Sequence, residues 1–273
     1  MSAAPNKEKA REARQNVLRV ALPIVVLTVL FGGWDLLVVA NDIKEYILPR
    51  PGVVLATVVT DWPVLGPALF NTLIITFGAL FLAIVGGVLI AVLLSQSRII
   101  EYSLSPITVI LQVTPIVAVF PLINIYVANI YAKLLLCAWI VAFFPTLSNT
   151  LLGLKSADRN LVDLYRLYGA SKFQTLRYLL MPSAMPFILG GLRITGGLCL
   201  IGAVVAEFVA GSAGVGTGLA SRLIEAAYRL NNPRLFAAIF LISATGVAIY
   251  FVLSFVSARL LGSWHESAMK QRQ

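Results

Sequence analysis

Two ionisable side chains, Arg193 and Glu207, stand inside one apolar stretch that runs from about residue 183 to about 210. A charge in apolar surroundings is expensive unless it is paired, so such residues are functional candidates by default. They are fourteen residues apart. On a straight helix they point to nearly the same side but stand about 21 Å from each other, so they do not pair within that helix. Arg193 therefore reaches for an interface or for another helix. Glu207, near the other end, either holds a gate and neighbouring backbone or touches a passing solute. Asn71, Thr72, Thr76, Gln112, Thr114 and Asn124, with Pro115, interrupt other apolar stretches. They line a pathway or hydrogen-bond between helices, and the sequence leaves both open.

The chemistry of an enzyme is missing, and no catalytic residue is assigned. There is no Gly-Lys dipeptide, hence no phosphate-cradling Gly-x-x-x-x-Gly-Lys-Ser/Thr loop. Gly211-Ser-Ala-Gly-Val-Gly216 has its glycines in the wrong order for a dinucleotide fingerprint and reads as a bend. His265 is the one histidine and Cys137 and Cys199 the two cysteines. No metal ligand set or disulfide framework follows, and both cysteines read as small buried hydrophobes. The acids fall mostly in loops without clustering. We expect no cofactor and no metal on this chain.

These residues are embedded in a chain made for a bilayer. Of its 273 residues, 59% are hydrophobic and 12% charged, and its mean hydropathy is +0.90. Stretches at roughly 18 to 40, 69 to 95, 103 to 127, 133 to 153, 183 to 210 and 234 to 260 are each long enough to cross a hydrocarbon core of about 30 Å. None alternates apolar with polar as a membrane strand does, which leaves helices. The sequence thus predicts an all-α polytopic bundle of six transmembrane helices with membrane lipid around it. The net charge of +9 sits in the loops rather than along one face, so no nucleic-acid partner is expected. Lys and Arg concentrate in both terminal segments and in the loop at 154–182, which makes these cytoplasmic. The basic N-terminus lacks a cleavage pattern, so the first span is expected to stay in the protein.

The loop itself has a legible local code. Ser156 and Asp158 are N-cap candidates for a helix at about 159 to 168 with an apolar stripe of Leu161, Leu164, Tyr165 and Tyr168. Gly169 is placed to end that helix in the left-handed conformation. Ser171 with Gln174 forms a capping-box pattern that opens a second helix, whose stripe of Phe173, Leu176, Leu179 and Leu180 ends before Pro182. An apolar stripe outside the bilayer belongs on lipid headgroups or in a partner's groove. Further on, Thr217 to Leu230 reads as a short amphipathic segment at the outer mouth or the lipid interface.

The register of Asp163, Gly169, Leu179, Met181 and Pro182 resembles the EAA loop of bacterial ATP-binding-cassette (ABC) importer permeases. Asp163 stands in place of Glu, and Leu164 and Tyr165 in place of alanines. Over residues 48 to 262 the chain is similar to the permeases for nitrate, taurine, aliphatic sulfonates and pyrimidine precursors. It shares Leu48-Pro-Arg-Pro51, Pro115 with Pro121-Leu122, Gly169-Ala-Ser171, Met181-Pro182, Gly191-Leu-Arg193 and Ala206-Glu207. It departs at Tyr126-Val-Ala-Asn129, where such permeases often carry Trp-Phe-Gly.

The resemblance implies a type I importer-like bundle with cytoplasmic coupling helices between the fourth and fifth spans, in a bacterial inner membrane. Residues 1–17 would be a cytoplasmic segment, 18–47 the first transmembrane helix, 48–262 the permease core and 263–273 a cytoplasmic tail. Asp163, Tyr165, Leu167, Tyr168, Gly169, Ala170, Ser171, Phe173 and Pro182 would contact the ATPase. Asn71, Gln112, Thr114, Pro115, Asn124, Arg193 and Glu207 would belong to the pathway or its gates. Implied partners are cytoplasmic ABC ATPase subunits that hold ATP and magnesium, a periplasmic or lipid-anchored solute-binding protein, and a second permease copy forming a homodimer. The cargo would be a small polar solute such as nitrate, a sulfonate or taurine, bicarbonate or a pyrimidine precursor. The alternatives are an ion-coupled secondary carrier, which calls for deep carboxylates and inverted repeats, and an integral membrane enzyme, which calls for a reactive cluster at a membrane face.

Overall fold

The computed structural model describes residues 4–211 and 218–262. His265 with the tail 263–273, and the bend from Ser212 to Gly216, lie outside the described residues. Every regular element among the described residues is helical: α1 (Ala4–Ala40), α2 (Pro51–Thr60), α3 (Trp62–Ser95), α4 (Arg98–Val113), α5 (Ile116–Tyr126), α6 (Ile130–Lys155), α7 (Arg159–Leu167), α8 (Lys172–Thr175), a π-helical turn (Leu176–Leu180), α9 (Met181–Ala210), α10 (Leu219–Tyr228) and α11 (Asn232–Leu261).

Among the described residues, five segments are long and apolar enough to cross a membrane: Ala21–Ala40, Trp62–Ser95, Ile130–Lys155, Lys172–Ala210 and Asn232–Leu261. The crossing expected at 103 to 127 is not one helix. It is α4 and α5, meeting at an extended step where Thr114 and Pro115 have ψ of 122° and 121°. Pro115 has no N–H to donate, and its ring disfavours helical backbone at Thr114.

A second expectation fails at Pro182, which does not end the loop's second helix. α8, the π turn and α9 form one continuous helical rod from Lys172 to Ala210. In the π turn the Met181 N–H donates to the Leu176 carbonyl, five residues back. The wider turn comes just before the proline, where a regular helix would drive the ring against the carbonyl four residues earlier. The helix widens instead of breaking.

The chain divides into two compact units. The smaller comprises residues 1–62 and 226–237. In it the Arg50 guanidinium donates twice to the Asp35 carboxylate, at 2.8 and 2.9 Å, directly before Pro51 opens α2. Arg234 Nε donates to Asp61 at 2.6 Å, and the Asn232 side-chain amide donates to the carbonyls of Tyr46 and Ile47. Leu230 has φ of 54°, an unusual left-handed setting for a branched side chain.

The larger unit comprises residues 63–225 and 238–273. Its core joins Ala79 of α3, Phe120 of α5, Cys137 and Ala142 of α6, Cys199 of α9 and Leu253 of α11. The two cysteines are buried and unbridged, filling small gaps as apolar groups do. Many of these core positions are alanine, which lets helices approach closely where dispersion and hydrogen bonds, rather than water exclusion, hold a membrane bundle together.

Candidate functional site

The loop between α6 and α9 is built by caps at both ends of α7 and at the start of α8. Asp158 accepts from the Asn160 N–H at 2.8 Å and so starts α7. At its other end the Gly169 N–H donates to Arg166 O at 3.0 Å and the Ala170 N–H to Tyr165 O at 2.9 Å. That is the Schellman pattern, and Gly169 supplies its left-handed residue with φ of 70°. Ser171 then opens α8 with a reciprocal capping box. The Gln174 N–H donates to Ser171 Oγ at 3.2 Å, and the Ser171 N–H donates to Gln174 Oε1 at 2.7 Å. Replacing Ser171 by Ala should cost about 1 kcal/mol of local helix stability. The expected outcome is faster amide exchange over residues 173–176 with the transmembrane amides unchanged.

The loop carries its apolar groups in two ways. Leu164, Leu167, Tyr168 and Phe173 are exposed, Leu167 and Tyr168 at 83% and 82%. Leu179 is buried, and Leu176, Leu180 and Met181 pack on a second cluster with Leu94, Phe144, Leu154 and Ala184. The expected second stripe is therefore divided. Phe173 faces outward and the rest anchors the loop to the bundle, because the π turn runs straight into α9. Asp163 is exposed and pairs with Arg166 at 3.3 Å, a surface pair of little energetic consequence.

Both ends of the loop are rooted in helices that touch backbone to backbone. A Cβ on Gly153 of α6 would lie 2.9 Å from Ala184 Cα, and one on Gly202 of α9 would lie 2.8 Å from Ala138 Cα. Between these points the Thr146 and Thr195 hydroxyls meet at 3.1 Å. Ser156 Oγ donates to the carbonyls of Gly153 and Ser183 at 2.8 and 3.3 Å. The spans flanking the loop thus form a close-packed pair. Gly153 was not singled out from the sequence, although it lies directly before the loop.

The remaining polar candidates do not converge on one cavity. Glu207 is fully buried and accepts from Thr72 Oγ1 at 2.8 Å and from the Ala220 N–H at 3.0 Å. Arg193 is exposed on α9, where its Nε donates weakly to Gly190 O at 3.4 Å. Asn124 accepts from Lys133 Nζ at 2.7 Å. Gln112 is exposed, Asn71 half-buried, and Pro115 stands at the start of α5. Thr114 lines a largely apolar cavity of about 410 Å³ with Leu94, Val119, Trp139, Phe143 and Phe144. Among the described residues no group of three or more His, Cys, Asp or Glu is placed to hold a metal.

Residues 83–262 match the family model described as "Binding-protein-dependent transport system inner membrane component". The chain is 32% identical over 250 residues to a riboflavin transport system permease of Chloroflexus aurantiacus, covering 89% of this chain and 90% of that protein. It is 32% identical over 206 residues to a formylaminopyrimidine transport permease of Halalkalibacterium halodurans, covering 75% and 80%. The fold also matches an inward-facing structure of the MetNI methionine ABC transporter, with a TM-score of 0.60 and 19% identity over 74% of this chain and 97% of the matched one. A helical bundle with apolar crossings, a capped loop rooted in two of them, and these matches agree: the chain belongs to the inner-membrane permeases of bacterial binding-protein-dependent ABC importers.

Proposed function

We propose that this permease works as one of two identical copies, moves a small polar solute inward by alternating access, and takes its power from ATPase subunits that grip α7 and α8. The observation that carries this reading is the cap-defined, outward apolar surface of Leu164, Leu167, Tyr168 and Phe173 on a loop rooted in α6 and α9. An ATPase groove that covers these side chains gains apolar burial. A groove whose shape differs between nucleotide states binds the loop differently in each, and that difference supplies the work. Asp163, Tyr165, Ala170, Ser171 and Pro182 shape the same loop. ATP and magnesium belong to the ATPase, and this chain carries no catalysis.

In this reading both termini and the loop face the cytoplasm, and α10 lies on the side where a solute-binding protein delivers cargo. Among the open cargo classes, the two relatives at 32% identity carry riboflavin and formylaminopyrimidine in their names, which favours a heterocyclic vitamin-type solute over nitrate, sulfonates or bicarbonate. The largely apolar, aromatic lining of the cavity at Trp139, Phe143 and Phe144 is consistent with that preference.

The test is reconstitution with candidate ABC ATPase and solute-binding subunits. The double variant Tyr168→Asp with Phe173→Asp should insert normally yet lose ATPase association by at least about tenfold, since two charges would enter an apolar groove. Unchanged association would show that the stripe lies on lipid headgroups and sink the coupling assignment.

A further inference from the structure

The end of α9 far from the coupling loop carries a constellation that the proposed coupling does not use. Glu207 has no exposed surface. One oxygen accepts from the Thr72 hydroxyl of α3 at 2.8 Å and the other from the Ala220 N–H of α10 at 3.0 Å. Thr72 Oγ1 in turn accepts from the Leu219 N–H at 3.0 Å. The first N–H groups of a helix have no partner within that helix. Here the first two of α10 are closed by side chains from two membrane-spanning helices. Leu219 and Ala220 are themselves fully buried. Gly218, directly before them, has no room for a side chain, because a Cβ there would collide with both carboxylate oxygens of Glu207. Carboxylate, hydroxyl and glycine together make a joint that fixes where α10 begins.

The joint sits on the same rod as the loop. From Lys172 to Ala210 the helix is continuous, so α8 stands at one end of it and Glu207 at the other. Resting on the permease reading above, we propose that Glu207 is a positioning residue for import. It fastens α10 to α9, and thereby transmits the arrival of the binding protein at the delivery side along α9 to the ATPase-facing loop. A carboxylate fits this task because it offers an acceptor on each oxygen, one for the Thr72 hydroxyl and one for a backbone N–H. Gln keeps one acceptor oxygen and turns the other acceptor into a donor; Ala keeps neither.

The experiment uses the full permease in nanodiscs with its ATPase and binding protein. Glu207→Ala should lower the binding-protein-stimulated increment of ATP hydrolysis by at least about tenfold and leave basal hydrolysis within about twofold, because a buried two-bond joint is lost while the coupling loop is untouched. Glu207→Gln should fall between, Thr72→Ser should keep stimulation, and Gly218→Ala, which displaces the carboxylate sterically, should reproduce the loss. A second readout needs no partner. Ser221, the third residue of α10, is buried, as are both native cysteines, so a Ser221→Cys reporter should react slowly with a soluble thiol reagent and at least about tenfold faster beside Glu207→Ala or Glu207→Gln. Equal reactivity in both backgrounds overturns the joint. Faster reactivity with undiminished stimulation overturns its role in import. A wild-type chain that neither binds nor stimulates the ATPase removes the proposed coupling itself, and the role in import falls with it.

Discussion

A Gly169→Val permease is expected to insert and fold normally but to pair with its ATPase subunits poorly or not at all, with binding-protein-stimulated ATP hydrolysis down by at least about tenfold. The reasoning is local. Gly169 holds φ of 70° with open space around its Cα, so the penalty is conformational and not a clash. A left-handed backbone costs an ordinary L-residue about 1 to 2 kcal/mol, and a β-branched one more. The loop has an easy escape, since opening the Schellman pair at Tyr165 and Arg166 releases the strain. The result is a changed angle between α7 and α8 without harm to the spans. Gly169→Asn, which tolerates the left-handed region, should retain most of the coupling. The pair of variants separates backbone conformation from mere bulk, read as ATPase co-purification and hydrolysis in nanodiscs. If Val and Asn behave like the wild type in both, the bend at Gly169 has no part in coupling.

Gly202→Leu should have the largest effect on the fold itself. Its Cβ would come within 2.8 Å of Ala138 Cα and 3.3 Å of Ala138 O, and backbone, unlike a side chain, has no other rotamer to move to. Overpacking of a close contact costs about 1 to 3 kcal/mol and more where neighbours cannot yield, so the α6 and α9 pair has to separate. We expect the thermal unfolding midpoint in detergent to fall by at least about 5 °C for Gly202→Leu, and similarly for Gly153→Leu at the loop end of the same seam. Gly190→Ala and Gly197→Ala provide the contrast. Both glycines meet nothing within 4 Å, so their midpoints should hold or rise slightly, helped by the better helix propensity of Ala. Equal losses at all four positions would mean that the seam is not specific.

That contrast also shows how far the sequence could be read. The glycines at 190, 191, 196, 197 and 202 look alike as letters in one apolar run. Which of them touch a neighbour depends on the rotation of α9 against α6, and rotation is set by packing. The caps at Asp158, Gly169 and Ser171 were readable because their chemistry is contained within a few residues. The break at Pro115 was readable as a possibility, whereas the continuation through Pro182 was not: both are prolines in helical pattern, and only the second is relieved by a wider turn upstream. Glu207 stood out as a deep acid, but its partners are 135 and 13 residues away in sequence, and one of them is a backbone N–H that carries no side-chain signal. Gly218, in a glycine-rich stretch, offered no mark at all. The outward apolar stripe was partly overestimated, since of Phe173, Leu176, Leu179 and Leu180 only Phe173 is exposed while the others pack into the bundle.

The π turn at Leu176–Leu180 has a consequence for phase. A regular helix turns by about 100° with each residue, and a π turn accommodates one residue more than the regular ladder allows. Everything on one side of it is therefore indexed differently from everything on the other. The direction in which Phe173 points relative to the seam at Gly153 and Ala184 is decided by how many residues the turn contains, independently of what those residues are. A permease one residue shorter here would keep α8 facing the same way only with a regular turn in place of the wide one; one residue lost without that change would rotate α8 by about 100° and offer a different face to whatever docks on it.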